Sequence, residues 1–197
     1  KPFHNFIHAC DMCQFSLCCY KLGQTVEFIQ KEELLVFLIA CISAYIDTDE
    51  KDNSFHKRTN TSISMLFEDR PIERNKCSKV MNILNKSSCN LFENVNGDKK
   101  KNSWSLLFNL LLLTDSETIN QTIEKFQLLI SESTVQLNDN AHRHAILEIL
   151  FIICQYAFIT RDFSICKEWF SKQKEELFML GDLENEYNLP YSSEIHN

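Results

Sequence analysis

Glycine and proline are nearly absent, with three of each in 197 residues. Hairpin turns and sheet bends depend on those residue types for their backbone angles, so an all-β or doubly wound fold is disfavoured and helices are expected. A membrane-spanning run is missing as well. The longest apolar stretch, Leu34 to Ile46, is interrupted by Ser43 and is shorter than the roughly 20 residues a spanning helix requires. Basic charge is in deficit: 20 Lys and Arg stand against 27 Asp and Glu, a net charge of −7. Surfaces that track a nucleic-acid backbone are basic, which excludes nucleic acid as the main partner. Neither an initiator Met nor a signal-peptide pattern precedes the first motif. The chain therefore reads as a fragment or processed form of an intracellular, cytoplasmic protein, whose localisation signals can lie outside it.

What is present suits one helical domain over residues 1–197. Hydrophobic residues make up 44% of the chain and aromatics 11%, enough for a real core. The nine cysteines are odd in number and include the adjacent pair Cys18 and Cys19, which reads as reduced thiols rather than a closed disulfide framework. Helical spacing predicts a first helix from Asn5 to about Leu22, with Phe6, Ile7, Cys10, Cys13 and Leu17 on its apolar face. A second, Lys31 to Ile46, is apolar nearly all round and belongs in the core. Ser62 to Phe67 and Asn75 to Leu84 read as short helices separated by Pro71. Residues 85–102, with Gly97 and the run Lys99 to Lys101, read as a polar surface loop. Four more helices are expected: Trp104 to Leu113, Thr118 to Ser131, Ala141 to Phe158, and Asp162 to Leu180 with Asp162 as cap and Gly181 just past the end.

Specific chemistry enters at the first residues. The opening reads F-H-N-F-I-H-A-C-D-M-C-Q, with His4 and His8 four apart and so on one helical face. Near the other end stands K-E-W-F-S-K-Q-K-E-E-L-F-M-L-G-D-L-E, from Lys167 to Glu184. The first run resembles the H-N-x-x-H-A-x-D-x-x-Q signature of class I 3',5'-cyclic nucleotide phosphodiesterases, matched at His4, Asn5, His8, Ala9, Asp11 and Gln14. The second is similar to that family's W-x-x-x-x-x-E-F-F-x-Q-G-D-x-E. Between them Asn53 to Asn60 and Leu66 to Arg70 keep the family's register. The resemblance implies an all-α, HD-type phosphodiesterase fold cut at both ends, and two divalent metals, zinc with magnesium or manganese. It makes His4 the general acid that protonates the departing sugar oxygen, and His8 a metal ligand.

Departures from the family pattern fall on the metal ligands. The register puts Ala44 and Tyr45 where a ligating His and Asp belong, and Gln155 where the second Asp belongs. Of the four ligands implied by the resemblance, His8 alone is kept. The family's L-E-N-H-H falls on Glu73 to Cys77 and keeps only Asn75, with Lys76 and Cys77 in place of both histidines. The A-T-D-M motif is echoed by Leu113-Thr114-Asp115-Ser116. Asp47, Asp49, Glu50 and Asp52 supply carboxylates to which a magnesium-like ion could bind, although a solvated acidic loop is the simpler account. Cys10 and Cys13 with His4 and His8 form a further zinc arrangement of weak geometry.

One imidazole does not hold a divalent ion tightly, so the metals are not expected to bind in the family's manner. The leading expectation is a catalytically impaired family member with a binding or regulatory role in cyclic nucleotide signalling. Its partners would be a cyclic nucleotide, a protein or a second copy of itself. The alternative is an active metal-dependent enzyme that hydrolyses cAMP or cGMP to the 5'-monophosphate with replacement ligands. The substrate-binding residues are not assigned by the sequence.

Overall fold

The computed structural model describes residues 1–23, 27–132 and 135–192. These fold into α-helices and 3₁₀ turns, with no strand among the described residues. In order they are α1 (Phe6–Leu22), α2 (Lys31–Ser43), α3 (Asn53–Arg58), α4 (Ser62–Leu66), α5 (Pro71–Leu84), α6 (Gly97–Leu112), α7 (Ser116–Glu132), α8 (Asn140–Gln155) and α9 (Phe163–Glu186). Single 3₁₀ turns at Ser87–Cys89 and Ala157–Thr160 follow α5 and α8.

Helix α2 is the hub. It packs on α1, α6 and α8, and its Val36, Phe37, Ala40 and Cys41 are sealed against Leu106, Leu110, Leu147 and Phe151. Phe37 and Phe151 meet edge to face with centroids 6.0 Å apart, the arrangement favoured by aromatic quadrupoles. A second, smaller cluster of Phe3, Phe158 and Trp169 lies where α1 meets α9. Phe3 of that cluster also lines the cleft described below.

Four sequence expectations need correction. The buried face of α1 is His8, Ala9, Met12 and Ser16, whereas Phe6 and Ile7 are 70% and 63% exposed. A broad apolar stripe left the rotation of α1 undetermined, and the polar His8 decides it. The two short helices are separate as expected, but the second begins at Pro71 rather than Asn75, because the N–H a proline lacks would have no intrahelical partner at the first helical position. The expected loop at 85–102 is shorter: α6 begins at Gly97, and Phe92 is buried in the main core against Trp104. Gly181 is a buried position inside α9, which runs on to Glu186. Asp162 does stand at the N-cap of α9, but its side chain makes no capping bond.

One buried ion pair ties the hub to α8. Glu33, in the first turn of α2, accepts from Arg143 Nε through both oxygens at 3.0 and 3.1 Å, and from the Gln30 backbone N–H at 2.9 Å. Both side chains are buried. Removing one partner would strand the other charge in the interior. Glu33→Ala is therefore expected to lower stability by about 3 kcal/mol in urea unfolding, and Glu33→Ala with Arg143→Met by clearly less.

Candidate functional site

Asn5 sets the geometry of the first motif. As N-cap of α1 its Oδ1 accepts the N–H groups of Ile7 and His8 at 2.9 and 3.1 Å, and its Nδ2 donates to the carbonyls of Lys1 and Pro2. The cap turns the chain so that His4 stands just ahead of the helix and His8 on its inner face. Asp11, another residue of the motif, pairs with Arg161 at 2.6 Å and so binds α1 to the turn after α8.

Glu176 of α9 holds His4 in place. Its Oε1 lies 2.6 Å from His4 Nδ1 and 3.0 Å from Lys1 Nζ, while Oε2 accepts the backbone N–H groups of Phe3 and His4 at 3.1 and 3.0 Å. Burial opposes its charge, but the His4 and Lys1 contacts outweigh it and hold its carboxyl well below the usual range. His4 thus donates from Nδ1, leaving Nε2 as the ring nitrogen free to exchange a proton. Burial lowers its pKa, and the bond to Glu176 opposes that shift.

His8 is in a different state. Its ring is 1% exposed and boxed by Phe3, Tyr45 and Trp169, with centroids 4.4, 4.8 and 5.2 Å away; Tyr45 stacks on it at 22°. Nε2 lies 3.0 Å from the Gln155 carbonyl and must donate there, so it carries a hydrogen and has no lone pair to give a metal. Nδ1 is buried without a hydrogen-bond partner. Burial first, then the neighbouring His4 charge, pull its pKa down to about 4.

The three positions where the resemblance implies further ligands are each engaged otherwise. Ala44 is fully buried in the main core. Tyr45 covers His8 and lies 4.9 Å from the His4 ring, and burial pushes its phenol well above the ordinary value. The Gln155 amide donates to the Leu113 carbonyl at 2.9 Å, joining the end of α8 to the end of α6. In the acidic loop, Asp47 turns to α5, where Asn75 and Lys79 hold it at 3.3 and 3.1 Å. Asp49 pairs with His56 and Lys51. Burial disfavours its charge, yet those pairs bring its pKa down to about 2. Asp52 caps α3 through the Phe55 N–H at 2.6 Å. Cys10 is exposed, and Cys13 points to the Leu38 carbonyl of α2. No group of three or more His, Cys, Asp or Glu among the described residues is placed to hold a metal ion.

His4, Tyr45 and Glu176 line a cleft of about 490 Å³ together with Asn53, Glu73, Lys76 and Thr114. That volume is in the range of small-molecule sites. Sequence reasoning assigned no role to Glu176 or Lys76. Glu176 lies inside the W-to-G-D-x-E stretch, so its position was visible although its partner was not. Lys76 appeared only as a lost histidine.

The model of the 3'5'-cyclic nucleotide phosphodiesterase family matches residues 3–197. The chain belongs to that family. Among its phosphodiesterase relatives, the dual specificity calcium/calmodulin-dependent 3',5'-cyclic nucleotide phosphodiesterase 1B of Bos taurus is 26% identical over 193 residues, which are 98% of this chain and 35% of that protein. The high affinity cGMP-specific 3',5'-cyclic phosphodiesterase 9A of Homo sapiens is 24% identical over 191 residues, 96% of this chain and 32% of that one. Among solved structures, the phosphodiesterase domain of the RhoPDE fusion protein from the choanoflagellate Salpingoeca rosetta superposes with a TM-score of 0.88 at 27% identity, covering 96% of this chain and 61% of that one. The chain thus spans about a third of the length of the curated phosphodiesterases it matches.

His8 gives a pH signature. Its folded pKa lies below the unfolded value near 6.5, so the unfolded chain takes up a proton first as pH falls. Stability from this group is complete above pH 6.5 and is lost between there and pH 4, by about 3 kcal/mol. Urea unfolding from pH 7 to 4.5 should record that loss, and a His8→Gln variant should show a flatter profile.

Proposed function

We propose that this chain is a phosphodiesterase-family domain in which metal-driven hydrolysis is impaired and the cleft serves binding or regulation in cyclic nucleotide signalling. One observation carries this reading: Tyr45 stacks on His8 where the resemblance implies a ligating carboxylate. Hydrolysis of a cyclic phosphodiester at neutral pH needs a nucleophile stronger than water, and bound metals supply it as hydroxide. The residues here do not fit such ions. A buried neutral phenol, an amide donating to a backbone carbonyl and a methyl group offer no carboxylate oxygen, and hard divalent ions require oxygen or imidazole donors.

What the chain keeps is the proton-handling half of the site. His4 and Glu176 form a fixed pair beside the cleft, able to place or remove a proton at one point. Without an activated nucleophile such a pair holds a ligand more readily than it cleaves one. The ligand class follows from the relatives, whose names specify 3',5'-cyclic nucleotides. A protein or a second copy of the chain is the further partner, inside the cell. The rival reading, an active enzyme with replacement ligands, is disfavoured because three of the four acidic-loop carboxylates, Asp47, Asp49 and Asp52, are held by other partners, which leaves Glu50 as the loop's one carboxylate for a metal in the cleft.

The test is turnover of cAMP and cGMP by the purified chain with zinc, magnesium or manganese, alongside its metal content. No hydrolysis above the metal blank is expected, with bound metal far below one ion per chain. Metal-dependent turnover that disappears in His4→Ala would overturn the reading.

A further inference from the structure

Lys76 is a charged side chain lining the cleft, and it is only 3% exposed. Its Nζ donates to Thr114 Oγ1 at 2.6 Å and lies 3.5 Å from Glu73 Oε1. Glu73 is equally buried, and its other oxygen accepts from Asn53 Nδ2 at 2.7 Å. The same amide reaches Asp115 Oδ1 at 3.4 Å. Asn53 Oδ1 in turn accepts the Ile72 N–H at 3.0 Å, which fixes the amide's orientation. One ammonium, two carboxylates, a hydroxyl and an amide therefore converge from α3, α5 and the α6–α7 turn.

Without the ammonium this is an oxygen-rich cluster. The Glu73 and Asp115 carboxylates lie within reach of one amide, and the Thr114 hydroxyl is beside them. Oxygens of this kind are what magnesium and manganese bind. A buried carboxylate also requires a positive partner, since an isolated charge in the interior is very costly. A lysine meets that need with a charge tethered to the chain, so no free ion has to be captured. Its like charge also repels a divalent ion approaching the same oxygens.

We propose that the Lys76 ammonium stands in for a divalent cation in the cleft, neutralising Glu73, fixing Thr114, Asn53 and Asp115, and excluding a metal by its own charge. This rests on the impaired-metal reading above and gives it a positive cause: the cleft holds its own cation. Lys76 is a positioning residue, and its role is read from stability and metal binding rather than from activity.

The experiment compares melting temperatures in EDTA and in millimolar manganese for the wild-type chain, Lys76→Ala, and Lys76→Ala with Glu73→Gln. Bound manganese is counted by electron paramagnetic resonance. The wild type is expected to melt at the same temperature in both buffers. Lys76→Ala should melt about 10 °C lower in EDTA, the usual effect of stranding one partner of a buried pair. Manganese should recover at least half of that loss with one ion bound per chain. The double variant, with no stranded charge, should melt near the wild type in EDTA and ignore manganese. The proposal is overturned if Lys76→Ala melts with the wild type or gains nothing from manganese. If that variant does not fold in EDTA, a double variant as unstable as it is also overturns the proposal. Failure of Lys76→Ala to respond leaves the impaired-hydrolysis reading intact, whereas manganese bound by the wild type with turnover of cAMP overturns both.

Discussion

Glu176 is a buried carboxylate that collects four hydrogen donors from the opposite end of the chain: two backbone N–H groups, the His4 ring and the Lys1 ammonium. A buried anion is tolerated only when its lone pairs are filled, so the N-terminal residues are bound to α9 by the need to satisfy that charge. The contact closes the space between α1 and α9, sets Phe3 on Phe158 and Trp169, and aims His4 into the cleft. The aromatic box around His8 is built on the same placement of Phe3. The Glu176 carboxylate is thus the constraint through which the rest of the site is assembled.

Several of the charges in and beside the cleft are paired within the protein. Glu176 is matched by Lys1 and His4, Glu73 by Lys76, and Asp49 by Lys51 and His56. Glu73 and Glu176 have positive partners within the chain, and His8 stacks on the Tyr45 ring. The family membership and the site's chemistry therefore separate: the first follows from fold and motif, the second from particular side chains.

Helix content and most helix positions were legible because the signals are local. Asn5 stands at the start of α1, where the spacing put it. The errors arose where local signals are ambiguous. A helix with apolar residues on most of its circumference does not reveal which face is covered, so α1 was rotated wrongly. Pro71 carries opposite meanings at the start and in the middle of a helix, and Gly181 carries opposite meanings inside α9 and at its end. Phe92 in a polar stretch lacked the periodicity that would have marked it as core.

The sequence by itself determined the helical class and the family, because both are written in residue identity, spacing and register. Tertiary structure alone decided which side chains meet around the cleft. Tyr45 on His8, Gln155 on Leu113 and Lys76 on Thr114 join residues 37 to 42 positions apart. Hydrogen bonds and ring contacts act over a few ångströms in space, a distance that sequence separation does not record.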